Sequence, residues 1–204
     1  MRIQSRNAYD DEFKDLDPHF TCREAIDCLI LLEGDRLPRR IWEPAAGDGA
    51  IVIPLRESGR FVVASDIHDY GLPGCGIVDF RTAPPLRHIE GVVTNPPYKK
   101  AQAFAEKATA EYPYVALLMR TNWLMEGGRR GKWLDAHPPT REWHSAQRLP
   151  MMHRYGWTGK RSTSNTPHCW AVWESGAKRE FPQRFYWKEL LGNIPAARSR
   201  KKAA

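Results

Sequence analysis

Residues 40–66 read RIWEPAAGDGAIVIPLRESGRFVVASD, and they carry the clearest pattern of alternating strand and helix in the sequence. It begins with a short apolar run, passes through a turn with glycines at 47 and 49, and predicts a helix over 50–58. A second apolar run follows at 61–64 and ends at Ser65–Asp66. Apolar runs without polar alternation are typical of strands buried on both faces. The stretch therefore predicts a strand, a helix and a second strand parallel to the first.

The same alternation continues on both sides of this stretch. The further predicted elements are strands at 76–78, 91–94 and 114–119 and helices at 23–32 and 99–111. Two more predicted strands, at 141–149 and 168–174, follow each other closely and suggest a hairpin-like antiparallel pair at one end of the sheet. Strands that alternate with helices predict an α/β fold with a mostly parallel sheet and helices on both faces.

The composition indicates a folded protein with a basic surplus. Of 204 residues, 31 are Lys or Arg and 24 are Asp or Glu, which gives a net charge of +7. The 42% hydrophobic content and eight Trp argue against a disordered chain. The longest apolar runs are too short to cross a bilayer, and the N-terminus shows no secretory signal. Four cysteines without CxxC spacing indicate reduced thiols and a cytoplasmic location.

We divide the chain into three parts. The acid-rich residues 1–18 predict a flexible arm, residues 19–195 a single domain without a separate recognition domain, and residues 196–204 a basic disordered tail. The charge is unevenly distributed. Residues 1–119 carry 14 basic and 18 acidic side chains, whereas residues 120–161 carry nine basic and three acidic ones. A polyanionic partner would therefore meet the segment 120–161 and the tail.

The ends of the first three predicted strands carry residues that suit a nucleoside ligand. Gly47 and Gly49 let the backbone approach a ligand closely, but the loop lacks the remaining residues of a dinucleotide or phosphate-binding loop. Asp66 is placed to accept two ribose hydroxyls, and Asp79 and Phe80 suit an adenine amine and ring face. The acids beside the loop tolerate a positive centre, so S-adenosylmethionine (SAM) fits. The alternative is a simple turn with helix-capping acids.

The fourth predicted strand leads into Thr94–Asn95–Pro96–Pro97–Tyr98. Two prolines fix φ and remove two backbone donors, and Asn95 is held extended by the proline after it. The Asn95 amide and the Pro96 carbonyl can then accept both hydrogens of an amino group, and Tyr98 offers a flat face for a planar group. A rigid loop that merely ends a strand is the alternative, and we favour the catalytic interpretation because of the motifs that precede it.

These motifs resemble the SAM-dependent amino methyltransferases, specifically the DNA adenine-N6 group. The resemblance rests on EPAAGDGA at 43–50, Asp66, Asp79–Phe80 and NPPY at 95–98, and it covers roughly residues 17–174. The motif order is similar to the γ arrangement, and ASDIHDYG at 64–71 resembles small phage and prophage members. The resemblance implies a Rossmann-like class I fold with a seven-stranded sheet and an antiparallel end strand. It also implies that the protein acts in the cytoplasm of a bacterium or of a phage-infected host cell.

The resemblance also implies a role for individual residues. Asn95, Pro96, Pro97 and Tyr98 would form the catalytic motif, with Tyr98 stacked on the target base. Phe20–Thr21 resembles the N-terminal cofactor segment, although Cys22 follows where the family usually has proline. The implied SAM-binding residues are Thr21, Glu43, Pro44, Ala45, Gly47, Asp48, Gly49, Asp66, Ile67, Asp79, Phe80 and Asn95. Among these, Glu43 and Asp48 would lie near the SAM amino group.

The expected reaction is in-line methyl transfer to the exocyclic N6 amine of adenine in DNA, with the target base flipped out of the duplex. Among the possible acceptors we rank DNA adenine first, RNA adenine second and protein glutamine third. Glutamine is included because a carboxamide also presents a planar amino group. A catalytically silent fold that binds nucleic acid is the alternative of a different class. No cysteine lies in a recognisable nucleophile motif, which disfavours cytosine-C5 chemistry.

Recognition of the nucleic acid is assigned to residues after the catalytic motif. The candidates for phosphate contact or base stacking are Arg129, Arg130, Lys132, Arg154, Tyr155, Trp157, Lys160 and Arg161. So small a recognition region predicts low or short-site sequence specificity. Core packing is expected for Trp123, Trp133, Trp143, Trp170 and Trp173. The histidines lack metal-ligand company, and no metal site is expected.

Overall fold

A computed structural model describes residues 21–151, 163 and 165–192, so the predicted arm and tail lie outside the described residues. The strands are β1 (Arg40–Glu43), β2 (Phe61–Asp66), β3 (Gly76–Ile77), β4 (Gly91–Thr94), β5 (Tyr114–Arg120), β6 (Arg141–Ser145), β7 (His168–Glu174) and β8 (Gln183–Phe185). They form an eight-stranded sheet in the order β3-β2-β1-β4-β5-β7-β6-β8.

Strand direction agrees with a mostly parallel sheet. The pairs β1–β2, β2–β3, β1–β4, β4–β5 and β6–β8 are parallel, and β7 is antiparallel to both β5 and β6. The expectation of seven strands with the antiparallel one at the end was wrong in two respects. The three-residue strand β8 adds an eighth strand, and β7 lies inside the sheet between β5 and β6. The predicted antiparallel pairing of the last two long strands is confirmed.

Helices cover both faces of the sheet. The described helices are α1 (Arg23–Glu33), α2 (Val52–Glu57), α3 (Ala101–Glu111), α4 (Thr121–Met125), α5 (Gly128–Ala136) and α6 (Trp187–Gly192). Helices α1, α2 and α6 pack on one face and α3, α4 and α5 on the other. Alternate residues of β5 point to opposite faces of the sheet. Ala116 and Leu118 pack in the layer with α1, α2 and α6, and Val115 and Leu117 pack in the second layer, with α3, α4 and α5.

The five tryptophans for which core packing was predicted all belong to the packed interior. Trp123, Trp143, Trp170 and Trp173 are buried, and Trp133 packs against the second layer. Buried indole N–H groups need acceptors. Trp170 donates to the Ala25 carbonyl at 2.9 Å, which fixes β7 against α1.

A buried ionic group joins α1 to the last strands. The Glu33 carboxylate accepts hydrogen bonds from Arg141 Nη2 at 2.8 Å, Trp143 Nε1 at 2.6 Å and Tyr114 Oη at 3.1 Å. Burial together with the adjacent Glu33 charge holds the pKa of Tyr114 well above its usual range. A buried charge is tolerated only when it is paired and hydrogen-bonded, and these three donors meet that requirement. The group anchors β5 and β6, the strands that flank β7.

Candidate functional site

The sheet reverses its strand order between β1 and β4, and the candidate site lies at that point. Strands β2 and β3 extend the sheet to one side of β1, whereas β5 extends it to the other side of β4. The loops that follow β1 and β4 therefore diverge and leave a crevice at the carboxyl edge, which is where ligands bind in open α/β sheets. A cavity of about 200 Å³ occupies this crevice. Its walls bring together residues from the loops after β1, β2, β3 and β4.

The glycine loop after β1 forms one wall of the cavity. Gly47 and Gly49 have φ of 50° and 91°, which are left-handed values that favour glycine. A Cβ at Gly49 would also come within 2.7 Å of the Leu72 side chain. Gly47 lines the cavity, but Gly49 lies outside the wall. The loop thus needs Gly49 for its own shape, and we find no ligand-facing role for that residue.

Asp66 links the glycine loop to the end of β2. Its carboxylate accepts the Gly47 N–H at 2.9 Å and the His68 N–H at 3.2 Å, and the side chain faces the cavity. Burial raises the pKa of Asp66, and the backbone N–H donors oppose the rise. The carboxylate is therefore held in place by the backbone before any ligand arrives, and its remaining lone pairs suit hydroxyl donors.

Glu43 lies beneath the glycine loop. The side chain is fully buried, accepts the Ala45 N–H at 2.9 Å and does not reach the cavity wall. Burial raises the pKa of Glu43 to about 8, and the Thr94 hydroxyl and the Ala45 amide oppose the rise only in part. The position of Glu43 near the amino group of SAM stays a prediction, and any contact with a ligand in the cavity would pass through the glycine loop that it supports. Asp48, whose pKa is also raised by burial, is the loop carboxylate that lines the cavity.

The residues after β3 are already engaged with other side chains. Phe80 is 1% exposed. It packs edge-on against Trp42 at 5.0 Å between ring centroids, and in a tilted arrangement against Phe104 at 4.9 Å. Asp79 lies on the wall in a bidentate pair with Arg81, at 3.0 Å from Nε and 2.6 Å from Nη2. The Arg81 hydrogen bonds hold the pKa of Asp79 below its ordinary value. An adenine amine would have to share this carboxylate with Arg81, a residue that the sequence analysis missed.

The Asn-Pro-Pro turn closes the cavity on the β4 side. Asn95 is 9% exposed, and it lines the wall together with Pro96 and Pro97. The Pro97 carbonyl accepts the Lys100 N–H at 2.8 Å, which turns the chain into α3. The structure therefore places Asn95 on the same cavity wall as Gly47 and Asp66.

Tyr98 lies past this turn and outside the cavity wall. The Arg120 guanidinium lies over its ring, with Cζ 3.9 Å from the centroid, and the Tyr98 hydroxyl is 3.0 Å from His168 Nε2. No sequence pattern marks Arg120 or His168 as site residues, because only the sheet order brings the end of β5 and the start of β7 to the end of β4. The open ring face that was expected for a target base is covered by Arg120.

The remaining wall residues of the predicted cofactor set are Thr21, Pro44, Ala45 and Ile67. All four line the cavity, and so do three cationic residues that the sequence analysis did not assign: Arg81, Lys99 and Lys100. These three side chains are exposed. The cavity therefore has carboxylates within it and cations around its mouth.

The predicted nucleic-acid contacts are only partly described. Arg129 and Lys132 are exposed on α5. Arg130 is engaged by a neighbouring residue of the protein. Its Nε donates to the Trp123 carbonyl at 2.7 Å, and its guanidinium lies over the Trp123 ring. The other five candidates, Arg154, Tyr155, Trp157, Lys160 and Arg161, lie outside the described residues.

The cysteines show no sign of a nucleophile. All four are free, and burial raises the pKa of Cys28 and Cys169 to about 12, so both remain thiols at neutral pH. Within residues 21–151, 163 and 165–192, no group of three or more His, Cys, Asp or Glu could hold a metal ion. None of the helices described above is long and apolar enough to cross a bilayer.

The sequence matches no protein-family model and no curated protein. Comparison of the structure with solved structures finds methyltransferases. A candidate RNA methyltransferase from Pyrococcus horikoshii is 16% identical, with a TM-score of 0.60 over 78% of this chain and 89% of that one. A SAM-dependent O-methyltransferase from Thermotoga maritima is 14% identical, with a TM-score of 0.53 over 85% and 73% of the two chains.

The modification subunit of a candidate type I restriction enzyme from Vibrio vulnificus is 11% identical, with a TM-score of 0.59 over 95% of this chain. This chain spans 50% of the length of that subunit. At these identities the likeness shows the fold alone. The chain has the Rossmann-like class I fold of SAM-dependent methyltransferases, which confirms the expected fold class.

Proposed function

We propose that this protein transfers a methyl group from SAM to the exocyclic N6 amine of adenine in DNA. The observation that carries the proposal is the position of Asn95 on the wall of the cavity formed by the glycine loop and Asp66. A methyl donor and an amino acceptor would meet there, across the point where the strand order reverses.

The cavity walls suit SAM at each end of the molecule. The Asp66 carboxylate, fixed by two backbone amides, would accept the ribose hydroxyls. Asp48 lines the part of the wall contributed by the glycine loop and would accept the amino group of the methionine part. Asp79 would receive the adenine amine beside Arg81, and the edge of Phe80 would border the adenine ring. These carboxylates also favour the positive sulfonium centre over a pyrophosphate.

The reaction needs orientation of the amine and no covalent intermediate. The amine nitrogen would use its lone pair to form a bond to the methyl carbon while the carbon–sulfur bond breaks and its electron pair stays on sulfur. S-adenosylhomocysteine (SAH) leaves, and the methylated nitrogen loses a proton to water. The Asn95 amide oxygen and the Pro96 carbonyl would accept the two amine hydrogens and aim the lone pair at the methyl group.

The preference for DNA is supported by motif and charge. The NPPY motif and its position after the glycine loop resemble the DNA adenine-N6 group, and the Vibrio vulnificus neighbour is named as a modification subunit. The cations around the cavity mouth, Arg81, Lys99 and Lys100, suit the phosphates of a flipped nucleotide. Residues 19–195 would form one catalytic domain with short-site specificity. The four free thiols fit a reducing cytoplasm.

A tritiated-SAM assay tests the proposal with double-stranded DNA, single-stranded DNA, RNA and a glutamine-containing protein as acceptors. We expect label in DNA as N6-methyladenine after nuclease digestion. Label confined to RNA or to protein would replace the DNA acceptor and leave the methyltransferase assignment standing. Calorimetry with SAM and SAH provides the second arm, since a silent fold would bind neither. Long-read modification mapping of methylated plasmid would show short or degenerate sites, and a single long, fully modified site would contradict the predicted specificity.

A further inference from the structure

Tyr98, Arg120 and His168 form a contact group that directly follows the Asn-Pro-Pro turn and does not line the cofactor cavity. Arg120 Cζ lies 3.9 Å from the Tyr98 ring centroid, and the Tyr98 hydroxyl lies 3.0 Å from His168 Nε2. Arg120 and His168 are direct partners in the antiparallel pairing of β5 with β7. Three neighbouring strands thus deliver one planar side chain each to the edge where a substrate amine would enter.

The orientation of the Tyr98 ring is held by the sheet. His168 is 3% exposed at the first position of β7, so its imidazole is packed in place. A ring that rotated away would lose the hydrogen bond to His168 in a mostly buried setting, where an unmade bond is costly. The Tyr98 ring is therefore a fixed platform, and one of its faces is covered by the Arg120 guanidinium.

Arg120 and a base cannot share that face in the present arrangement. Stacked bases follow one another at about 3.4 Å. A base stacked on Tyr98 would occupy the position of the guanidinium, which lies at 3.9 Å. A base on this face must therefore displace Arg120, and a guanidinium that stacks on the outer side of the base would then lie about 7 Å from the tyrosine ring.

We propose that Arg120 occupies the position of the target base in the free protein and moves to the outer face of the base when the base enters. The base is then held between the Tyr98 ring and the Arg120 guanidinium. A guanidinium stacks both on aromatic rings and on nucleobases, because both present a flat π face. The base then has one planar side chain on each of its faces. This inference rests on the proposed function and deepens it.

The arrangement selects the class of acceptor. A nucleobase has two large flat faces and restores the contact that Arg120 gives up, whereas a glutamine carboxamide covers only a small part of the tyrosine ring. The Tyr98–Arg120 pair therefore favours a nucleobase amine over a protein amide. It also keeps the ring covered when no substrate is present.

The test follows Arg120 directly by NMR. A proton above an aromatic ring is shifted upfield by the ring current, so the Arg120 Nε–Hε signal should lie upfield of the other arginines. Arg120→Lys assigns the signal, and Tyr98→Leu should return it to the ordinary range. On addition of SAH and a single-stranded oligodeoxyadenylate, we expect the signal to move while SAH alone leaves it in place. A signal that stays fixed while the oligonucleotide saturates the protein, or an oligodeoxyadenylate that does not bind, overturns the proposal.

Steady-state kinetics on the same oligodeoxyadenylate give the second readout. For Arg120→Ala we expect KM to rise about tenfold, the size of one lost base-stacking contact, with kcat changed much less. Arg120→Lys should resemble the alanine variant, because it keeps the charge and loses the plane. A lysine variant with wild-type KM would assign Arg120 to phosphate binding and contradict the proposal. Arg39→Ala is the matched control, since Arg39 is exposed at the opposite edge of the sheet, before β1.

The two readouts separate this inference from the proposed function. Methyl transfer to adenine with a stationary Arg120 signal would refute the role of Arg120 alone. Binding of SAM without methyl transfer to any adenine acceptor would refute the proposed substrate, whatever Arg120 does.

Discussion

The two halves of the carboxyl edge of the sheet are built in opposite ways. The half formed by the loops after β1, β2 and β3 surrounds a cavity of about 200 Å³ with backbone amides, fixed carboxylates and an apolar floor. The half formed at the ends of β4 and β5 and the start of β7 is filled by side chains of the protein itself, stacked in the order Arg120, Tyr98 and, at the ring hydroxyl, His168. Asn95 lies at the boundary between the two halves.

Because the two halves differ in this way, only one of the two ligands has to rearrange side chains of the protein when it binds. The first half can receive its ligand with little change, because Asp66 and the glycine loop are already hydrogen-bonded to each other. A site organised in advance loses less free energy to ordering on binding. The second half must exchange one of its own contacts for a contact with the acceptor, so acceptor binding includes a conformational step. We therefore expect cofactor affinity and acceptor turnover to respond to different residues.

Among the changes considered, we expect the greatest change from Glu43, which lies beneath the glycine loop of the first half. Burial raises the pKa of Glu43 from 4.5 to about 8, so the native state keeps a proton that the unfolded chain releases above about pH 4.5. The native state binds more protons throughout this window, and the free energy of unfolding therefore falls as the pH rises through it. Glu43→Gln keeps a neutral side chain of the same shape. At pH 9 the wild type should be less stable than this variant by up to about 5 kcal/mol.

Urea unfolding of both proteins at pH 5, 7 and 9 measures this difference. At pH 5 the two should differ by no more than about 1 kcal/mol, because Glu43 is protonated in the native state and this pH is only about half a unit above its pKa in the unfolded chain. The difference between the two proteins removes contributions from other titrating groups, which both share. An equal difference in unfolding free energy between the two proteins at all three pH values would mean that Glu43 is ionised in the folded protein. The glycine loop would then lie above a buried charge.

The next effect tests the boundary between the halves. Asn95→Ala removes an acceptor for the amine hydrogens and should lower kcat by about 100- to 1000-fold, as the loss of one positioned hydrogen-bond partner does in other active sites. SAH affinity should stay within about threefold, because Asn95 contributes one group among many on the cavity wall. Asn95→Asp keeps an acceptor oxygen and should retain more activity than the alanine variant.

Methyl incorporation and calorimetry on the same preparations measure the two quantities, and intact SAH binding shows that the variant is folded. Asn122→Ala is the control, since Asn122 is an exposed asparagine on α4. Equal losses of SAH affinity and turnover in Asn95→Ala would contradict the division into two halves, because Asn95 would then contribute equally to cofactor binding and to methyl transfer.

The first half was largely predictable from the sequence, and the second was not. Short local patterns in the sequence predict the positions of Gly47 and Asp66. Gly47 lies in a turn between a buried strand and a helix, and Asp66 is the acid at the end of the next strand. Strands β4 and β5 are near their predicted bounds for the same reason, since strands buried on both faces are continuous apolar runs. Each of these features depends on a few adjacent residues.

The parts that were missed depend on distant pairing or on weak patterns. Strand β8 has three residues at a sheet edge and no apolar period, so no sequence signal marks it. His168 is 70 positions from Tyr98 and meets it only because β7 inserts between β5 and β6. The position of Glu43 beneath the loop follows from its place at the buried end of β1, a strand that the sequence does predict.

A smaller effect is expected where the glycine loop meets Asp66. Asp66→Ala leaves the Gly47 and His68 amides without their carboxylate and removes the acceptor for the ribose hydroxyls. SAH affinity should fall by about 10- to 100-fold, the range for hydrogen bonds to a charged group. Asp69→Ala is a matched control, because Asp69 is exposed and accepts the Gly71 N–H at 2.8 Å in a similar local turn. Unchanged SAH affinity in Asp66→Ala would mean that the loop keeps its shape and its ligand without Asp66.

The smallest effect concerns the Tyr98 hydroxyl, and it decides how the second half works. Tyr98→Phe removes the hydrogen bond to His168 and keeps the ring on which Arg120 and the base would stack. We expect kcat/KM to fall by about three- to tenfold, the size of one net hydrogen bond, and Tyr98→Leu to cause a larger loss. Tyr112→Phe loses a comparable bond, from the Leu86 N–H at 2.8 Å, away from the acceptor half, so it should leave kcat/KM unchanged. If phenylalanine and leucine at position 98 were equally damaging, the hydroxyl would be the working group. The second half would then hold its acceptor by hydrogen bonding, and stacking by Arg120 would have no part in it.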